Sequence, residues 1–285
     1  MFTLILCFYL FRLVFKRWEG DSPFEKMFIS DNISYQEEMI SYDGLKLKAN
    51  VYLHDNNQNT FIIFHHGYHE SYSMVNGIIE NIYKQGYNVI LVFGRGNMFS
   101  EGKSFSMGPK EANDFASWAN HFSKKYPSSN IILGGWSMGG HITLRVQKEV
   151  LPPNVKGIIA DCPYFNASKQ FLDMTKGKKE KPSLVMRYAV YALNIYCKLF
   201  HGFSINEDIS PILENSTLPA LIMQGENDDL VLPYNTKKID ELYKGKHKVN
   251  YFKNAKHVES YKSDLGRYFD EFNSFVKDCI NNENY

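Results

Sequence analysis

The chain has 285 residues, 44% of them hydrophobic and 22% charged, which is enough for one large α/β domain with a packed core. A formal net charge of +1 gives no electrostatic bias towards nucleic acid or acidic partners, and no nucleic-acid-binding module is recognisable. The four cysteines, Cys7, Cys162, Cys197 and Cys279, have no paired spacing; they indicate neither a zinc site nor a disulfide framework and fit a reducing, cytoplasmic setting.

Met1 to Phe15 is nearly all apolar, broken by Arg12 and followed by Lys16 and Arg17. A full membrane span needs about 20 apolar residues, and a secretory signal carries basic residues before its apolar run rather than after it. Two readings remain for residues 1–17: a short membrane anchor on the cytoplasmic side, or an apolar helix packed on the domain or resting on a membrane surface. The first boundary is therefore drawn at 1–32 for this segment and 33–285 for the main domain.

Residues 36–53 alternate around Asp43-Gly44 and predict a hairpin. The apolar run Phe61-Ile62-Ile63-Phe64 suits a strand buried on both faces, followed by a helix over about 72–85 and another buried strand over 88–93. A helix over 111–125, strands at 131–134 and 155–162, two more at 220–225 and 248–253, and a helix over 261–280 complete the pattern. Strands alternating with helices predict a mostly parallel sheet of about eight strands covered on both faces. The stretch from about 165 to 213 interrupts the alternation. It holds a basic piece, Lys176-Gly177-Lys178-Lys179-Glu180-Lys181, then an apolar helical piece from Leu184 to Phe200. So long an insertion suits a lid. In its helix Leu184, Tyr188, Tyr191 and Ile195 fall on one face, which makes Tyr188 and Tyr191 candidate substrate-binding residues.

The chemistry centres on Ile131-Ile132-Leu133-Gly134-Gly135-Trp136-Ser137-Met138-Gly139-Gly140. An apolar strand runs into Gly-x-Ser-x-Gly and a helical pattern follows, so Ser137 sits on a sharp strand-to-helix turn. A serine hydroxyl needs a base to take its proton and a third group to orient that base. Loops beyond the carboxyl ends of parallel strands are where such groups gather. One such loop is Glu226-Asn227-Asp228-Asp229; another ends in His257. His257 is the candidate base. Asp228 is the candidate acid, with Asp229 and then Glu226 as alternatives. His66-Gly67-Tyr68-His69-Glu70 follows an earlier strand, and the backbone N–H groups of Tyr68 and Met138 are the candidate oxyanion hole. His65, His66 and His69 have no spacing that would present all three to a metal.

These motifs resemble the α/β-hydrolase superfamily over roughly residues 33–280. Within it the chain is most similar to bacterial single-domain hydrolases related to prolyl-oligopeptidase-like and aminopeptidase-like enzymes. The resemblance implies the α/β-hydrolase fold with a helical lid, a Ser137–His257–Asp228 triad, a small-molecule acyl substrate, and no cofactor or metal. It places the acid three residues after Gly225, at Asp228. The chain departs from the relatives' Asp-x-Arg-Gly-His-Gly-x-Ser-x-Gly loop, reading Phe93-Gly94-Arg95-Gly96-Asn97-Met98-Phe99-Ser100-Glu101-Gly102. The leading expectation is a carboxylic-ester or thioester hydrolase acting through an acyl-enzyme. The alternatives are a peptidase or amidase, with Glu70 or Glu101 available to hold a peptide terminus, an acyltransferase, and a non-catalytic binding protein on the same fold.

Overall fold

A computed structural model describes residues 2–20, 27–54, 59–176 and 181–281. Residues 177–180, most of the basic piece of the insertion, lie outside the described residues. In chain order the elements are α1 (Phe2–Phe15), α2 (Phe28–Asp31), β1 (Tyr35–Ile40), β2 (Lys46–Tyr52), β3 (Thr60–His65), α3 (Tyr72–Lys84), β4 (Asn88–Val92) and α4 (Pro109–Lys125). They continue with β5 (Asn130–Trp136), α5 (Met138–Arg145), β6 (Val155–Asp161), α6 (Ala167–Lys176), α7 (Leu184–His201) and α8 (Ser210–Glu214). The chain ends with β7 (Ala220–Gly225), α9 (Tyr234–Leu242), β8 (His247–Phe252), α10 (Ser260–Ser263) and α11 (Leu265–Asn281).

The strands form one eight-stranded sheet in the order β1-β2-β4-β3-β5-β6-β7-β8. The opening hairpin is antiparallel and β2 meets β4 antiparallel; the remaining pairs are parallel. Every residue of β3, β4 and β7 is buried, as strands covered by helices on both faces require. Two apolar cores result. One holds side chains of α1, α4, α5 and α7, the other those of α3 and α11.

Local chemistry sets several boundaries. Gly108, at φ 129°, turns the chain into α4, Pro109 occupies the first turn, and the Glu111 carboxylate accepts the Gly108 N–H at 2.8 Å. The helix expected over 261–280 is broken at Asp264. Its carboxylate accepts the Arg267 N–H at 3.1 Å and so starts α11 afresh.

Helix α1 is docked on the domain. Phe11 and Phe15 are buried in the first core, and Phe11 stacks on His201 of α7 with ring centroids 3.6 Å apart. The strap after it is pinned to the 93–102 loop. Trp18 N–H donates to the Gly96 carbonyl at 2.8 Å, Met98 N–H donates back to Trp18, and the Arg17 guanidinium donates to the carbonyls of Met98 and Ser100. No helix among the described residues is long and apolar enough to cross a membrane.

Candidate active site

Strand β5 and helix α5 meet at Ser137, whose φ of 54° and ψ of −118° put a non-glycine residue in a strained conformation. The turn closes only because its flanks lack side chains. A Cβ on Gly139 would lie 2.0 Å from the His65 carbonyl oxygen, and one on Gly135 would lie 2.6 Å from the Gly139 backbone. Ser137 N–H donates to the Asp161 carbonyl at 2.8 Å, which ties the turn to the end of β6.

Three loops converge there. His257 Nε2 lies 2.9 Å from Ser137 Oγ, and His257 Nδ1 lies 2.7 Å from Asp228 Oδ2. Since a carboxylate only accepts, Nδ1 carries the proton and Nε2 offers its lone pair to the serine hydroxyl. Asp228 is buried, and its carboxylate also accepts the N–H groups of Leu230 and Val231 at 3.0 and 2.8 Å and the Gln224 amide at 3.1 Å. Glu226 and Asp229 are exposed on the same loop, and it is Asp228 that meets the imidazole. Asn254 and Val258, on either side of the histidine, have positive φ of 61° and 53°. They bend the loop after β8 towards β7.

Tyr68 follows β3, and Met138 is the first residue of α5, where helix geometry leaves the N–H without an intrahelical partner. Tyr68 and Ser137 line the same cavity of about 150 Å³, with Val14, Met107, Tyr164, Gln170, Phe171, Met174, Leu230 and Val231. None of these side chains is charged. Val14 comes from α1 and Gln170, Phe171 and Met174 from α6. Sequence reasoning passed over these residues, because three apolar side chains and one amide carry no signal of a site until distant segments dock.

The insertion expectation needs correcting in one respect. Tyr188 and Tyr191 do not face Ser137. They are 57% and 64% exposed and flank a separate groove between α7 and α1. The face of α7 turned inward carries Val190, Leu193, Asn194 and Cys197 instead. Asn194 decides it, since its side-chain oxygen accepts the Ile205 N–H at 3.0 Å and draws that face into the core.

Glu70 has a structural use. Its carboxylate accepts the Gly67 N–H and the Trp136 indole N–H, each at 2.6 Å, and so clamps the Tyr68 loop to the strand beneath Ser137. Burial pushes this carboxyl up to about 7. Both donors meet the same oxygen, Oε2, and the exposed Glu101 accepts the Lys46 N–H. A second buried carboxyl, Asp161, is pushed up to about 6 by burial, against hydrogen bonds from Tyr268 and Ser260.

The histidines before the Tyr68 loop are also engaged. His66 Nδ1–H donates to the Gly67 carbonyl at 2.7 Å while its Nε2 accepts the Gly94 N–H at 3.0 Å. His65 Nδ1 lies 2.9 Å from the His66 carbonyl, and burial holds His65 and His66 down at about 4 and about 3, so both are neutral. The three-residue grouping of ligand type among the described residues is Cys162, Asp228 and His257, within 4.8 Å of one another. Burial raises the Cys162 thiol well above its ordinary value and keeps it protonated, so the trio is built as a hydrogen-bonded pair beside a thiol.

Residues 56–190 match the model of the serine aminopeptidase family S33 among the hydrolases. The structure superposes on an esterase of Pyrococcus furiosus with a TM-score of 0.73 at 21% identity, covering 93% of this chain and 97% of that one. An esterase of Exiguobacterium antarcticum gives 0.61 at 18% identity over 84% and 98% of the two chains. The ferulic-acid-bound Est1E of Butyrivibrio proteoclasticus gives 0.61 at 18% over 86% and 99%. The chain has the α/β-hydrolase fold. No curated protein matches the chain by sequence. The identities to the solved structures speak for the fold alone.

Proposed function

We propose that this α/β-hydrolase is a serine esterase that cleaves carboxylic esters of short to medium acyl chain through an acyl-enzyme. The observation that carries the reading is the unbroken hydrogen-bonded line from Asp228 through His257 to Ser137 Oγ, opening into an apolar cavity. Asp228 holds His257 in the tautomer whose Nε2 accepts the serine proton as Oγ attacks the ester carbonyl. Negative charge develops on the carbonyl oxygen and is met by the N–H groups of Tyr68 and Met138. The imidazolium returns its proton to the leaving alkoxide, and water repeats the sequence on the acyl-enzyme.

The cavity supports an apolar acyl group: an apolar space of about 150 Å³ is large enough to hold a six-carbon ring. Helices α6 and α7, together with α1, serve as a cap whose α6 side chains shape that space. An aminopeptidase reading would need a carboxylate to receive a free amino terminus, and the carboxylate beside the site, Glu70, is buried and holds Gly67 and Trp136 through Oε2.

Labelling with a fluorophosphonate probe, with Ser137→Ala as control, tests the proposal. Labelling of the parent alone, with turnover of p-nitrophenyl butyrate, is the expected result. An unlabelled parent, or one that cleaves amino-acyl amides in preference to every simple ester, overturns it.

A further inference from the structure

More than half of the large apolar side chains exposed among the described residues lie on two helices, α1 and α7. On α1 they include Leu4, Ile5, Phe8, Tyr9 and Leu13, the last 69% exposed. On α7 they include Leu184, Val185, Tyr191 and Leu199, with Leu184 78% and Leu199 72% exposed. Soluble surfaces rarely gather so many in one place without a partner. The two helices lie side by side. Thr3, Leu4 and Cys7 of α1 and Tyr188, Tyr191, Ile195 and Leu199 of α7 line one shallow groove of about 160 Å³, so the exposed apolar residues of the two helices adjoin along it.

Charge identifies the occupant. The whole chain has 31 acidic residues, yet neither helix carries one. Their formal charges are Arg12, Arg187 and Lys198, all cationic and all exposed. An apolar face with tyrosines and long cationic side chains suits the headgroup region of an anionic bilayer, where the aliphatic stems lie along the acyl boundary and the charges reach the phosphates. Phe11 and Phe15 hold α1 along the domain core, so the face lies on a membrane rather than crossing it. A second copy fits less well, because a two-fold contact through this face brings the same cations against each other. We propose that α1 and α7 together form a docking platform for an anionic lipid surface. Val14, on the last turn of α1, lines the Ser137 cavity, so the docked platform sets the cavity beside the lipid.

Vesicle flotation of the full chain carrying Ser137→Ala reads docking whether or not the esterase reading holds. The expected result is a monomer by light scattering that floats with phosphatidylcholine vesicles containing phosphatidylglycerol about tenfold more than with phosphatidylcholine alone. Arg12→Ala, Arg187→Ala and Lys198→Ala combined should remove that preference. Tyr9→Ser, Leu13→Ser, Leu184→Ser and Leu199→Ser combined should abolish flotation while keeping a cooperative thermal transition. A parent that does not float, or that floats equally after both sets of changes, overturns the proposal. So does a parent dimer that the serine variant converts to monomer, which would assign the face to a second copy.

Discussion

The Ser137 turn and the helical cap above it are built by opposite means. The turn is held by backbone and by short polar contacts: two glycines that admit no Cβ, a serine at positive φ, and carboxylates satisfied by named donors. The cap of α1, α6 and α7 is held by apolar packing, with Phe15 against Phe105, Phe171 and Phe203. Polar contacts are directional and specify one geometry, whereas apolar packing specifies which surfaces are covered. The difference teaches where to expect sensitivity. Changes at the turn should alter chemistry, and changes in the cap should alter stability and the size of the acyl group accepted.

The largest expected effect is on chemistry. Asp228→Asn should keep the fold and lower kcat by about 10⁴, because the histidine tautomer is no longer held. Asp229→Asn, on an exposed neighbour, should change kcat little. Steady-state kinetics of the two variants decide it, and the reverse ranking would move the acid to Asp229.

Next comes the anchoring of α1. Phe15 is fully buried, so Phe15→Ala should cost about 3–5 kcal/mol in denaturant unfolding. A cost near zero would make α1 an appendage and erase the contrast between cap and turn.

The Glu70 clamp should be visible in the pH dependence of stability. Its folded-state pKa of about 7 lies above the ordinary 4.5. The stabilisation that this group contributes is complete below about 4.5 and is lost as pH rises through about 7, up to roughly 3 kcal/mol. Glu70→Gln has no such proton to lose. Urea unfolding at the two ends of that window should therefore show a smaller decline for the variant than for the parent. Equal declines would show that Glu70 is ionised throughout.

The smallest effect concerns acyl length. Phe171→Ala enlarges the cavity and should shift preference from p-nitrophenyl butyrate towards octanoate by a few-fold in kcat/KM, at about 0.8 kcal/mol or less per added methylene. Tyr188→Ala with Tyr191→Ala should leave the preference unchanged, since neither lines the cavity. A preference that follows the tyrosines instead would place the acyl group under α7.

The strands and the strand-turn-helix around Ser137 could be read from sequence because each is a local matter, and their alternation with helices pointed to a mostly parallel sheet; the order of the strands came from the structure. Continuous apolar runs mark buried strands, and Gly-x-Ser-x-Gly leaves the backbone little else to do. The loop offers three carboxylates, and Asp228 is the one chosen from sequence, helped by the resemblance; the structure adds the physical reason, burying Asp228 against the imidazole and leaving Glu226 and Asp229 exposed. Helix α7 shows the limit. It has two apolar faces, and spacing near three to four residues describes both equally. Asn194, bonded to the backbone of Ile205, and Phe11, stacked on His201, turn one face in and leave Tyr188 and Tyr191 out. Val14, Phe171 and Met174 line the cavity for a similar reason. Which apolar side chain meets Ser137 depends on contacts between segments far apart in the chain, and only the folded structure brings those segments together.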